Sequence, residues 1–423
     1  MRILAKDIKD HAGKEITVSG WVHRIRELGG VNFIIFRDRS GQIQLVTNEE
    51  VNLTLESVIS ATGTVHENDK APGGYELQLT AIDVLAPAAP DLPFPVNQDP
   101  AKIGLETILD NRSISLRNPK ILSIFRLQAD IMRYFGEYLR GLDFTEIKST
   151  KLVGGATEGG TNLFRVEYFD TTVCLAQSPQ VYKQTMVSSG LERVFEISHA
   201  YRAEKHETSR HINEYVSLDV EMAFIEDEME LIELERGAIK YIFSQVKANN
   251  QKQLDDWGAT VPEPELCDKI PVITHEKCKK IVSERIGRRV FEINPEAEVV
   301  ISEWAMENYG VDLVFINEFP RKKRPFYTYP KGLKTMSFDL VFRGLEITTG
   351  GRRINEYKMF QEALPKFGLT EGELGAYASI FKYGCPPHGG FAIGLERLTQ
   401  KILGLANVKE ASLFPRDRKR ITP

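Results

Sequence analysis

Residues 195–221, FEISHAYRAEKHETSRHINEYVSLDVE, restrict the fold of this 423-residue chain more than any other stretch. Two runs with strand patterning, 194–198 and 215–221, bracket a polar connection, which reads as an antiparallel hairpin with a long charged tip. Arg202, Glu204, Arg210, His211, Glu214, Asp219 and Glu221 all fall within it. An arginine offers a planar fork of donors matched to phosphate oxygens, so such a tip can lie over a polyphosphate. A plain solvated hairpin tip is the other reading.

Near the far end, GGFAIGLER (389–397) is a glycine-rich strand that runs into an apolar helix, 398–405, with Glu396 and Arg397 at the junction. Together the two stretches resemble the second and third signature motifs of class II aminoacyl-tRNA synthetases, Phe/Tyr-Arg-x-Glu followed by Gly-x-Gly-x-Glu-Arg. Either alone is weak; in this order and separation they are specific.

Length alone suggests two or three domains of about 150 residues each. A hydrophobic fraction of 42% with 27% charged residues is ordinary for a globular protein. No apolar run approaches the roughly 20 residues of a membrane span, and the charged start MRILAKDIKDHAGK does not read as a secretory signal, so a cytoplasmic location without membrane contact is expected. The four cysteines stand far apart, which suggests neither a zinc site nor a disulfide framework. A net charge of −5 argues against indiscriminate nucleic-acid binding while leaving room for a local basic face.

Residues 1–90 contain five strand candidates (15–23, 31–37, 42–46, 57–65 and 75–82) separated by turn signals, the pattern of an OB-fold barrel. Such barrels stack single-stranded bases on aromatics beside positive charges, a role open to Phe33 with Arg24, Arg26 and Arg37. Phe33 in the barrel core with solvated arginines is the competing reading. This segment also resembles the anticodon-binding domain of aspartyl-, asparaginyl- and lysyl-tRNA synthetases, which implies that Phe33 and Gln44 contact the central anticodon base. A Pro-rich hinge over 91–112 leads into an α+β catalytic domain, 113–423, expected from the resemblance to be an antiparallel sheet flanked by helices. Its first helix carries an apolar stripe of Ile121, Ile124, Phe125, Met132, Phe135 and Leu139. In the family this helix and the strand after it, 144–152, form the interface of a homodimer. Thr150 replaces the usual proline of that strand.

The loop GGATEGG (154–160) reads as a mobile lid or a plain turn. By resemblance Glu158 would hold the substrate ammonium, Gln180 the amino group and Lys183 the side-chain carboxylate of aspartate. The family also implies that Arg202 grips the α-phosphate of ATP and the aminoacyl carboxylate, with Ala203 beside it. Glu204 would read the adenine amino group, Tyr215 would stack on the ring next to Ile212, and Arg210 and His211 would meet the γ-phosphate. From the third motif Gly394, Leu395 and Glu396 would line the nucleotide site, and Arg397 would cover its opposite face. Polyphosphate carries more charge than these arginines cancel, so magnesium is expected, which the family places on Glu346 and Thr349. Arg353 and Lys183 would surround an aspartate side chain with two cations, which an amide does not satisfy. His388 lies beside that site in the family, with a structural histidine as the bland alternative.

The resemblance is closest to compact archaeal-type aspartyl enzymes. Some of these charge the asparagine tRNA as well as the aspartate tRNA, and His23 and Pro72 resemble the relaxed type; a barrel-surface histidine and a turn proline are the plain readings. An asparaginyl enzyme, which usually lacks the lysine, and a non-charging paralogue that binds tRNA or forms amides are the alternatives. Residues 250–320 read as an insertion without a legible role.

Overall fold

The computed structural model describes residues 2–155, 162–205 and 207–423. Residues 156–161, which include Glu158, lie outside the described residues. The chain divides into two compact units, 2–104 with 113–118, and 105–112 with 119–423.

The first unit is a closed barrel of the five strands β1 (Glu15–Leu28), β2 (Val31–Arg37), β3 (Gln42–Thr47), β4 (Val58–Glu67) and β5 (Tyr75–Ala86), in the order β1-β2-β3-β5-β4. Alternation accounts for it: Ile16, Val18, Ile34, Phe36, Ile43, Leu45, Ile59, Ala61 and Leu77 point inward and are buried. Closure pairs every strand on both sides and removes exposed edges. His23 is the extra residue of a bulge in β1, where the register against β2 shifts between Val22 and Arg24.

The second unit is built on an eight-stranded sheet. Six neighbouring strands, Leu313–Asn317, Ser337–Phe342, Leu345–Arg353, His388–Gly394, Glu214–Ala223 and Arg193–Tyr201, are antiparallel throughout. A short strand pairs in parallel at each edge, Val272–Thr274 beside Leu313–Asn317 and Thr145–Glu146 beside Arg193–Tyr201. The sheet is therefore mixed rather than purely antiparallel. The strand expected over 144–152 is correspondingly short. Ile147 N still donates to Phe195 O at 2.9 Å, and beyond it the Ser149 backbone N–H and hydroxyl donate instead to the Glu196 carboxylate, at 3.0 and 2.7 Å. Thr150 is exposed, its hydroxyl donating to the Leu152 carbonyl at 3.2 Å.

Two 22-residue helices, Pro119–Arg140 and Glu228–Asn249, cover one face of this sheet. Proline at the first position starts one, and the Asp227 side chain caps the other by accepting from Met229 N. Ile124, Leu127, Ile131 and Phe135 pack with Leu231, Ile239 and Phe243 on Leu218, Val220, Phe391 and Ile393 of the sheet. Each such side chain, fully buried, contributes about 1.5–3 kcal/mol. Because strand side chains alternate, Ser217, Asp219, Glu221, Gly390, Ala392 and Gly394 must point to the opposite face. Residues 250–320 supply two sheet strands and the helices His275–Ile286 and Pro295–Tyr309.

Gly390 tests how tightly this opposite face is built, since a Cβ there would sit 2.0 Å from the Val220 carbonyl and 2.3 Å from a Glu221 oxygen. Gly390→Ala should lower unfolding stability by about 1–3 kcal/mol, measured by urea denaturation. An unchanged midpoint would mean that the two central strands can separate without cost.

Candidate functional site

The open face of the sheet carries two adjoining clefts. The first, about 690 Å³, is lined by Arg202, Glu204, Arg210, His211, Ile212, Tyr215, Glu346, Thr349, Gly394, Glu396 and Arg397. The second, about 800 Å³, is lined by Gln180, Lys183, Arg202, Asp219, Arg324, Tyr327, Thr349 and Arg353 among others. Arg202, Tyr215, Ser217, Thr349 and Ala392 belong to both. Residues separated by nearly 200 positions thus meet because Glu214–Ala223, Leu345–Arg353 and His388–Gly394 are neighbouring strands.

In the first cleft the Arg202 guanidinium lies 5.7 Å from the Tyr215 ring centroid. Arg397 donates from Nη1 to the Glu346 carbonyl at 2.9 Å and stands 3.7 Å from its carboxylate. The His211 ring accepts from or donates to the Thr208 hydroxyl at 2.7 Å, and burial with the nearby Arg397 lowers its basicity. Glu396 is differently placed: both its oxygens accept from the Val216 backbone N–H, at 3.0 and 3.1 Å, and burial pushes its carboxyl up to about 8. Its side chain fastens the strand 214–223 to the helix Leu395–Leu403. Ala203 and Leu395 do not line either cleft; Ala203 N donates to Asn162 O at 3.1 Å and Leu395 is buried.

Glu346 and Thr349 lie three apart in one strand, a spacing that ordinary alternation sends to opposite faces. A bulge solves this. The register against Ser337–Phe342 slips between Leu340 and Val341, leaving Ile347 as the extra residue. As a result the Thr349 hydroxyl donates to Glu346 Oε1 at 3.3 Å. Asp339, opposite Thr349 in the ladder, is a further carboxylate at this point and was not singled out by the sequence reading. Burial raises its carboxyl although Arg324 Nη2 stands 2.7 Å away. Its position seven residues before Glu346 in adjacent strands was the available signal.

The second cleft rests on four buried charges. Lys183 Nζ donates to Asp219 Oδ1 at 2.8 Å and lies 3.4 Å from Glu221 Oε2. From the other side Arg353 Nε donates to Glu221 Oε1 at 3.2 Å, and its Nη2 to Gln180 Oε1 at 3.3 Å. Burial alone would raise Glu221, yet Arg353, Lys183 and His388 hold it below the ordinary range. Asp219 Oδ2 is buried with no hydrogen-bond partner among the described residues, an acceptor aimed at the cleft that sequence reasoning missed. Among the described residues the cleft is lined by four cations, Lys183, Arg202, Arg324 and Arg353, and one carboxylate, Asp219. His388 is fully buried; its Nδ1 donates to Pro386 O at 2.8 Å, which leaves Nε2 to accept from Gln184 at 2.7 Å.

On the barrel, Phe33 is half-buried on the outer face and pairs with Arg26 and Val46, while Gln44 pairs with Ile35 on that same face. Phe33 is therefore not barrel core. Glu76 Oε2 accepts from Gln44 Nε2 at 2.9 Å and from Asn68 Nδ2 at 2.7 Å, which ties Gln44 to the turn that carries the exposed Pro72. His23 is not brought to this patch by any contact. It is buried, with Nδ1 3.4 Å from Arg37 Nη1 and 3.7 Å from Glu56, whose carboxylate also pairs with Arg37 at 2.8 Å and Arg117 at 3.1 Å.

The chain is similar in sequence and fold to known proteins. A family model described as class II tRNA synthetases (D, K and N) matches residues 104–418, and one for the OB-fold nucleic acid binding domain matches 16–85. The aspartate–tRNA(Asp/Asn) ligase of Thermus thermophilus is 45% identical over the full length of both chains, and that of Deinococcus radiodurans 43% over all of this chain. The aspartate–tRNA(Asp) ligase of Pyrococcus horikoshii is 39% identical over 97% of each chain. Among solved structures, Pyrococcus horikoshii asparaginyl-tRNA synthetase with asparaginyl-adenylate superposes with a TM-score of 0.91 over all of both chains at 26% identity.

The raised Glu396 carboxyl makes stability pH-dependent. Folding favours its protonated form, so stability is full below the ordinary value near 4.5 and falls as pH rises toward 8. Glu396→Gln should flatten that decline, and urea denaturation of parent and variant at pH 5, 6.5 and 8 would read it. Parallel curves would show that Glu396 ionises as in the unfolded chain.

Proposed function

The chain belongs to the class II aminoacyl-tRNA synthetases of the aspartate, lysine and asparagine group, and from its two clefts we propose that it condenses L-aspartate with ATP and transfers the aspartyl group to tRNA(Asp) and tRNA(Asn). The observation that carries this reading is the meeting of the clefts at Arg202. The nucleotide lies in the first cleft and the amino acid in the second, so the α-phosphate and the attacking carboxylate both reach one guanidinium.

Activation is an in-line displacement whose barrier falls through positioning and charge neutralisation. Arg202 holds the carboxylate against the α-phosphorus and takes up negative charge as the displacement proceeds. Tyr215 and Arg397 take the two faces of the adenine ring, and Glu204 reads its edge. Arg210 and His211 draw the leaving pyrophosphate. Oxygen donors on one face, Glu346, the Thr349 hydroxyl and Asp339, suit magnesium, a hard cation that completes its shell with substrate phosphates and water. When bound, that ion neutralises phosphate charge. During transfer the adenylate phosphate itself can accept the proton of the tRNA hydroxyl, so no general base is needed.

Specificity for aspartate follows from charge. Lys183 and Arg353 converge from either side of Glu221, and a side-chain carboxylate satisfies the cationic lining where an amide does not. Asp219 Oδ2 accepts from the substrate ammonium. Arg24, Arg26, Phe33 and Gln44 on one barrel face suit an unstacked anticodon. The family's dimer, through the helix Pro119–Arg140, is part of the same proposal. Charging of tRNA(Asn) is supported by the relatives of dual name and by His23 and Pro72.

Arg202→Ala should reduce aspartate-dependent ATP–pyrophosphate exchange by ~10²–10³-fold. Exchange equally fast with asparagine would overturn the aspartate assignment. In a separate assay, His23→Gln with Pro72→Lys should weaken aspartylation of tRNA(Asn) transcripts ~10-fold or more while sparing tRNA(Asp), as expected when discrimination at one base is worth ~1–3 kcal/mol. If the parent charges only tRNA(Asp), the dual reading fails and the catalytic one stands.

A further inference from the structure

Next to the nucleotide cleft, sharing Glu346 with it, lies a further hollow lined by Glu298, Asp339, Lys323 and Arg324 among others. Glu298 belongs to the helix Pro295–Tyr309, within the segment whose role the sequence does not disclose. Its side chain is 10% exposed, and one oxygen, Oε2, joins two parts of the nucleotide site. That oxygen accepts from Arg210 Nη2 at the charged hairpin tip and from the Glu346 backbone N–H at 3.1 Å.

From this geometry we infer that Glu298 is a positioning residue of the reaction, holding the Arg210 guanidinium at the pyrophosphate end of the nucleotide and fixing it to the strand that carries the metal ligands. The inference rests on the reading of the first cleft as the ATP site.

Arg210 sits on a long side chain at the tip of a hairpin connection, where nothing in the backbone ladder fixes its head. An arginine that must be ordered when ligand arrives weakens binding by the entropy it loses; one already ordered does not. Only Nη2 is taken by Glu298, and the planar fork carries further donors on Nε and Nη1 that can turn to phosphate oxygens. The bond to Glu346 N matters equally, because Glu346 begins the bulged turn of strand that aims Thr349 into the cleft. One carboxylate oxygen thus sets the separation of the γ-phosphate arginine and the metal-binding strand. It also gives the inserted helix a reason to lie against the site. A carboxylate this close to polyphosphate would repel it if unpaired, so the Arg210 pair is what makes its position tolerable.

The test compares Glu298→Gln, which keeps shape and loses charge, with Arg210→Ala and the double variant, in ATP–pyrophosphate exchange with aspartate. Glu298→Gln should raise the KM for ATP and for pyrophosphate roughly 3- to 30-fold, with kcat within about twofold and the KM for aspartate unchanged. The double variant should be no worse than Arg210→Ala alone, since a Gln oxygen can still accept from the Glu346 N–H and the lost charge acts through the one guanidinium. An unchanged or lowered KM for ATP in Glu298→Gln, or additive effects in the double variant, overturns the positioning role. Should the Gln variant not fold, Glu298→Asp, which keeps the charge and withdraws it by one methylene, must show the same selective rise. An Arg210→Ala variant with parental KM for ATP would instead sink the assignment of Arg210 to the nucleotide, and the inference with it.

Discussion

Lys183, Asp219, Glu221 and Arg353 form a buried set of two cations and two carboxylates on which the amino-acid cleft depends. None is more than 5% exposed, so every charge must be met inside the protein. Removing one partner of such a set typically costs about 3–5 kcal/mol, because it leaves an uncompensated buried charge. Glu221 holds both cations in place and neutralises part of their charge, and Asp219 keeps one oxygen unbonded.

The same economy governs the strand 345–353. Its bulge at Ile347 turns Glu346 and Thr349 to one face, while Thr348 on the next position faces the helices, where it meets the buried Glu235. Burial, against a smaller opposing effect of the Thr348 hydroxyl, pushes the Glu235 carboxyl up to about 8. A regular strand would place one of the two oxygen donors in the core and dismantle the site without changing its composition.

On the barrel, the outer face of β1, β2 and β3 gathers an aromatic ring, two arginines and an amide, a surface that can stack and hydrogen-bond a splayed base. His23 works from a different position. It is buried in the Arg37–Glu56–Arg117 cluster, carried there by the bulge in β1.

Motif spacing and strand alternation were enough to locate the five-stranded barrel, the charged hairpin and the glycine strand, since these patterns are local and repeat with fixed periods. The charged hairpin also marked Arg202 as a phosphate candidate, whereas Glu346, Arg353 and the role given to Lys183 came from the resemblance to the synthetase family rather than from spacing or alternation. Three things were beyond that reach. Glu396 does line the first cleft, but that its carboxylate also accepts from a backbone N–H 180 residues earlier is invisible in the sequence. Asp339 and Asp219 look like ordinary strand acids until the ladder sets one across from Thr349 and leaves the other half-bonded in a cleft. Glu298 reads as one of several acids on a surface helix, and only the packing of that helix against the sheet brings it to Arg210. Local chemistry is written in residue type and period; which distant groups share an oxygen is decided by strand order, a bulge and helix docking, none of which has a signature in consecutive residues.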